Sequence, residues 1–141
     1  MAYCTKADIL EQMEEDVLIQ LTDDEDAGVV DDDKVTRAIA NADAEIDSYC
    51  GTKYPVPFTT VPPIILMVSV DIAIYNLYSR RRGAPESIKE RYDDRIAFLA
   101  KVPKGLVSLG EDDPDGTPAE TNYPEISSSD RIFSREKLKG W

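Results

Sequence analysis

The chain has 141 residues, 42% of them hydrophobic, enough for one domain with its own core and no need of disulfide or metal staples. Its 28 acids against 16 bases leave a net charge of −12, a surface that repels nucleic acid and anionic membrane and suits basic protein partners. There is no histidine, which excludes the commonest general base, Ser-His and Cys-His nucleophile pairs, and histidine-based zinc sites.

Thr5 followed by Asp8 predicts a helix start, with a capping hydroxyl and an acid in the first turn. Ile9, Leu10 and Met13 give that helix one apolar face. A second short apolar patch, Val17, Leu18, Ile19 and Leu21, follows the acids Glu14, Glu15 and Asp16. Residues 22–33 read as an acidic loop with Gly28 at its middle, and residues 1–33 hold twelve acids and one base. Asp31, Asp32 and Asp33 offer N-caps for the next helix. It carries Val35, Ala38, Ile39, Ala42, Ile46, Tyr49 and Cys50 at helical spacing, with Lys34, Arg37, Asn41 and Glu45 mostly opposite. Gly51 is its expected C-cap.

Residues 52–61 are expected to be extended, because Pro55 and Pro57 fix φ and push the preceding residues out of the helical region. Pro62 and Pro63 open a third long segment, where proline is tolerated in the first turn. Its body, residues 64–78, is apolar nearly all round, which predicts the central buried helix. Arg80, Arg81 and Arg82 end it where cations complement the helix dipole, and Gly83 stops it. A further helix begins near Pro85 and Glu86, runs to about Val102, and is expected to bury Ile88, Tyr92, Ile96 and Leu99. The longest uncharged stretch, residues 54–70, contains four prolines and cannot be a membrane-spanning helix. Cys4 and Cys50 are the only thiols, far apart and in no CxxC arrangement. Without a signal peptide at the start, they read as reduced cysteines of an intracellular protein, Cys50 as a small buried hydrophobe.

After Gly110 the character changes. Residues 111–129 hold Pro114, Pro118 and Pro124 and few hydrophobes, which reads as an extended or flexible arm. The chain then ends in a basic and aromatic segment, so residues 127–141 carry +2 while residues 1–126 carry −14. The division expected is a helical domain over 1–110 and an extended arm over 111–141. The arm is expected to be a docking element for a neighbouring copy or another protein, with fold-back on its own bundle as the alternative.

No constellation of residues announces chemistry. The EF-hand template from Asp23 fits Glu25 and Gly28 but meets Lys34 where the bidentate glutamate must stand; from Glu111 it meets Asn122 there. Asp71, the one acid inside the apolar helix, requires a partner, and Arg37, Arg91, Arg95 or a nearby tyrosine can serve. Arg80, Arg81 and Arg82 are either solvated dipole partners or an acid-binding patch, whose most available target is the acidic first third of another copy. No catalytic residue, cofactor or metal ligand is expected. An acidic DNA mimic that inhibits a nuclease or repressor remains a rival, but these acids cluster in the first third instead of being evenly spaced.

One ordered set of residues is recognisable. Ala42 with Glu45-Ile46-Asp47 and Tyr49 is followed by Tyr54-Pro55-Val56-Pro57, then Val61-Pro62. Asp71-Ile72-Ala73, Tyr75, Leu77, Arg81 and Arg82 come next, then Arg91-Tyr92, Leu99, Gly105 and Leu109. Together these resemble the Mu-like phage gp36 family, proteins encoded among phage head genes. Residues 3–10 resemble the family's start and residues 135–141 its basic, aromatic finish; residues 111–129 find no counterpart. Cys50 stands where an aliphatic residue is expected, and Pro103 interrupts the approach to Gly105.

The fold expected is all-α, a small bundle of about four main helices with an extended C-terminal arm. The resemblance implies a virion protein made in the bacterial host cytoplasm, a head–tail connector or head completion adaptor at the neck, with no enzymatic activity. It implies a ring, a dodecamer in the family, bound to the portal protein and to a tail-side neck or tail-terminator protein. Genomic DNA would pass the lumen without specific binding, and no membrane is involved. Other morphogenesis roles, tail terminator or assembly chaperone, are the nearest alternatives. The interface residues expected are Arg80, Arg81, Arg82, Arg131, Phe133, Arg135, Leu138 and Trp141.

Overall fold

The computed structural model describes residues 2–81 and 83–109. Among these there are five helices and no strand: α1 (Lys6–Gln12), α2 (Glu15–Thr22), α3 (Asp32–Cys50), α4 (Pro63–Arg81) and α5 (Glu86–Lys101). The all-α bundle expected from periodicity is what forms. The apolar patch after the first acids becomes a short helix of its own, α2, in addition to the four expected. The Arg82 side chain and the whole of the expected C-terminal arm lie outside the described residues.

Local signals start and stop these helices as their chemistry requires. Thr5 and Asp8 form a reciprocal capping box at α1. The Asp31 carboxylate accepts from the N–H groups of Asp33 and Lys34 at the start of α3. Gly51 caps α3, but not in the left-handed conformation: its φ is −64°. A Cβ there would lie 2.8 Å from the Asp47 carbonyl oxygen and 3.3 Å from Val56 Cγ2, so glycine is needed for close approach of the returning chain. Gly83, after α4, does take positive φ, +75°.

The central helix is α4, and it packs against each of the other four. Ile65, Val68, Ile72, Ala73 and Leu77 are fully enclosed, facing Val35, Ala42, Ile46 and Cys50 of α3 and Leu99 of α5 within one core. The α5 face is shallower than expected. Leu99 is buried, while Ile88, Tyr92 and Ile96 are only partly covered. Between α3 and α4, residues 52–61 make bends and turns with a cis Val56–Pro57 bond, and the segment folds inward on Tyr54 and Phe58, both buried. Tyr3 joins them, its ring edge-on to Phe58 at 5.5 Å, and Phe58 lies 6.1 Å from Tyr54.

Candidate interaction surfaces

At the C-terminal end of α4 the arginines find acids in their own chain. Arg80 reaches Asp24 with both terminal guanidinium nitrogens, the closest at 2.7 Å. Arg81 donates to the carbonyls of Gln20 and Asp23, 2.9 Å each, at the C-terminal end of α2. Lys34 is 2.7 Å from Asp24 and 3.0 Å from Asp31. The hydrogen bond from Lys34, with Arg80 beside it, holds the Asp24 carboxyl below the usual carboxylate range. Asp23 accepts from the N–H groups of Gly28 and Ala27, which lower it likewise. The position that would need the bidentate glutamate of a calcium loop is therefore held by the loop's own cation. Arg80 and Arg81 tie α4 to the α2–α3 loop through partly exposed bonds, which salt screens.

A second surface is a groove between the N-terminal segment and α3, about 760 Å³ in volume. Val35, Ile39, Ala40, Ala44, Cys4 and Pro57 give it an apolar lining, with Lys6, Asp32, Asp43 and Asp47 at its margins. A polar knot fixes one wall. The Tyr3 hydroxyl donates to Asp47 and accepts from the Phe58 N–H at 3.2 Å, while the Tyr3 N–H approaches both Asp43 oxygens at 3.3 and 3.4 Å. Ser69 of α4 donates to Asp43 at 3.1 Å and lies 3.2 Å from Cys4 Sγ. Burial raises the Asp43 carboxyl despite these donors. The same burial pushes Cys4 and Cys50 up to about 11, so both thiols stay protonated at neutral pH and neither is an activated nucleophile.

Burial, then the bond to Asp47, lifts the Tyr3 phenol far above its ordinary value. A group raised on folding adds stability that is intact below the unfolded tyrosine value of about 10 and lost as pH climbs through the higher folded one. Tyr3→Phe strands the Phe58 N–H and should cost about 1–3 kcal/mol in a urea melt at neutral pH. It should also remove the alkaline step of unfolding that belongs to this phenol. A loss below about 0.5 kcal/mol would mean the knot is ornamental to the fold.

The third surface is a cleft of about 400 Å³ between α1, α4 and α5, lined by Asp8, Glu11, Gln12, Leu66, Met67, Val70, Asp71, Arg91 and Arg95. Met67, half exposed, forms its apolar shelf. Asp71 sits at its base, paired with Arg95 at 2.6 Å and with Arg91 at 3.8 Å. Two of the three arginines expected beside Asp71 are the ones found. Nearby, Tyr92 of α5 stacks on Tyr75 at 3.9 Å and donates to Glu45 of α3 at 2.7 Å.

The described residues therefore bring Arg80 and Arg81 together on an intramolecular acid. Arg82, Arg131, Phe133, Arg135, Leu138 and Trp141 lie outside them. Neither cleft was expected from the sequence. The available signal was Asp43 and Asp47, two acids one turn apart on the inward side of α3, beside Ala42 and Ile46. Among the described residues no group of histidine, cysteine or acid side chains could hold a metal ion, and no helix is long and apolar enough to cross a membrane.

Comparison with known proteins agrees with this architecture's recognisable residues. Residues 3–128 match the family described as Bacteriophage Mu, Gp36, including the stretch 111–128 that the motif resemblance left out. The chain is 32% identical over 139 residues to the Mu-like prophage FluMu protein gp36 of Haemophilus influenzae, covering 99% of this chain and 97% of that protein. It is 29% identical over 115 residues to gene product J of Escherichia phage Mu, covering 81% of this chain and 79% of that one. The chain is thus a phage protein and belongs to the bacteriophage Mu Gp36 family.

Proposed function

We propose that this phage protein is a non-enzymatic structural component of the virion neck, a head–tail connector that assembles as a ring beneath the portal and receives the tail. The observation that carries the reading is the pair of clefts, one against α3 and one between α1, α4 and α5, on a chain of the Mu Gp36 family. A ring needs a heterologous contact in which two different surfaces of each subunit meet. The half-exposed Met67 shelf, flanked by Asp8, Glu11, Arg91 and Arg95, offers one such surface, and the groove along α3 offers the other. The acids also suit a lumen that passes DNA without holding phosphates.

The buried, protonated thiols, and an acidic loop whose Asp24 and Asp31 are taken up by Lys34, support a contact role over a chemical one. The test is a nonsense mutation in the encoding phage, followed by electron microscopy and protein analysis of purified particles. The expected result is packaged heads separated from tails, with the protein present at the neck of wild-type virions. Absence of the protein from purified wild-type virions would overturn the reading in favour of an assembly chaperone.

A further inference from the structure

The groove along α3 is apolar, open and edged by acids, and a path of aromatic rings leads to it from Leu109, the last described residue. The Leu109 N–H donates to the Tyr54 hydroxyl at 3.1 Å. From Tyr54 it is one ring-to-ring step of 6.1 Å to Phe58 and another of 5.5 Å to Tyr3, whose neighbours Ala2 and Cys4 line the groove with Pro57. Beyond Leu109 the chain continues through a proline-containing spacer over 110–130 into Arg131-Ile132-Phe133-Ser134-Arg135-Glu136-Lys137-Leu138-Lys139-Gly140-Trp141. That terminal segment has four bases and one acid, with Ile132, Phe133, Leu138 and Trp141 to bury. The groove margin has the opposite sign, with Asp32, Asp43 and Asp47 against Lys6.

We propose that the groove is the seat of this chain's own C-terminal segment, residues 131–141, held in the same molecule when the protein is free. A spacer over residues 110–130 has a root-mean-square span of about 25 Å if flexible. Leu109 lies within that span of the groove along the aromatic path, which gives the segment a local concentration on the order of millimolar, far above any neighbour in dilute solution. The groove volume of about 760 Å³ has room for several large side chains, and the segment supplies them. Seated in this way, it covers the Ala40 and Ala44 face of α3 until assembly offers a competing surface.

The test uses the full chain and its single tryptophan, Trp141. A nitroxide is attached at Thr36→Cys, an exposed position on the groove lining; the two native cysteines are buried and protonated and label poorly. The spin label should quench Trp141 emission several-fold, independently of protein concentration. Adding Ala40→Lys and Ala44→Lys, both exposed on α3, should restore the emission while helical circular dichroism and the melting curve stay unchanged. Quenching that grows with concentration, or that arises on mixing labelled with unlabelled chains, would assign the seat to a neighbouring copy and overturn the proposal. No quenching at any concentration would leave the groove to another partner and overturn it as well, as would quenching that survives the two lysines. None of these outcomes depends on whether the protein reaches the virion, so the neck assignment stands or falls separately.

Discussion

Truncating Ile72 to alanine should cost the fold about 2–5 kcal/mol, the range for deleting most of a branched side chain from a packed interior. Ile72 has no solvent exposure and belongs to α4, the helix that every other helix touches. The space it leaves is walled by several elements that would all have to move together to fill it, which holds the residual cavity open. Leu77→Ala, equally enclosed and closer to the C-terminal end of α4, should lose a similar amount. Met67 is the internal control: on the same helix but half exposed, its truncation should cost no more than about 0.5 kcal/mol. Urea unfolding reads all three as shifted midpoints at constant slope. An Ile72→Ala melt that superimposes on wild type would remove α4 from the centre of the bundle.

That centre was legible because a helix apolar on every side has nowhere to go but inside. The caps were legible for a similar reason: Thr5 with Asp8, and Asp31, satisfy N–H groups within their own turn, so nothing distant has to be known. The inward fold of residues 52–61 was not legible. Its prolines announced an extended chain, but the burial of Tyr54 and Phe58 depends on Tyr3, some fifty residues earlier, arriving beneath them with its hydroxyl. The α3 groove was hidden for the same reason, since one wall is the N-terminal segment. Arg80 and Arg81 illustrate the limit from the other side. Their sign predicted an acidic target, and the target is acidic, but distance along the chain gave no means of preferring another copy over the loop at Asp24. The residues that made the family recognisable turn out to be ties between elements. Glu45 holds Tyr92, Asp47 holds Tyr3, Asp71 holds Arg95, and Tyr54 holds the backbone at Leu109.

The Asp71–Arg95 tie should be the most costly of these to break from one side. Asp71 lies between Val70 and Ile72 on α4 and its side chain is 8% exposed, so its carboxylate has lost most of its water. Arg95 replaces that water through Nε at 2.6 Å, and Arg91 adds a longer contact at 3.8 Å from a side chain that is 47% exposed. Arg95→Met keeps the packing of the aliphatic stem and removes the charge, leaving the carboxylate to Arg91 and to whatever water the cleft admits. One-sided loss of a buried pair costs about 3–5 kcal/mol, and the open cleft places this case near the lower figure. Asp71→Leu should cost less, because Arg95, 26% exposed, can turn its guanidinium outward. The double variant, Asp71→Leu with Arg95→Met, strands no charge and should recover most of the stability of the single losses. The thermodynamic cycle should therefore close with a coupling of about 1–3 kcal/mol. High salt should change that coupling less than it changes the Arg80–Asp24 contact, because the Asp71 side chain is 8% exposed against 41% for Asp24. Additive single losses, or an Arg95→Met melt matching wild type, would reduce the pair to a surface contact and leave α4 and α5 joined by apolar packing alone.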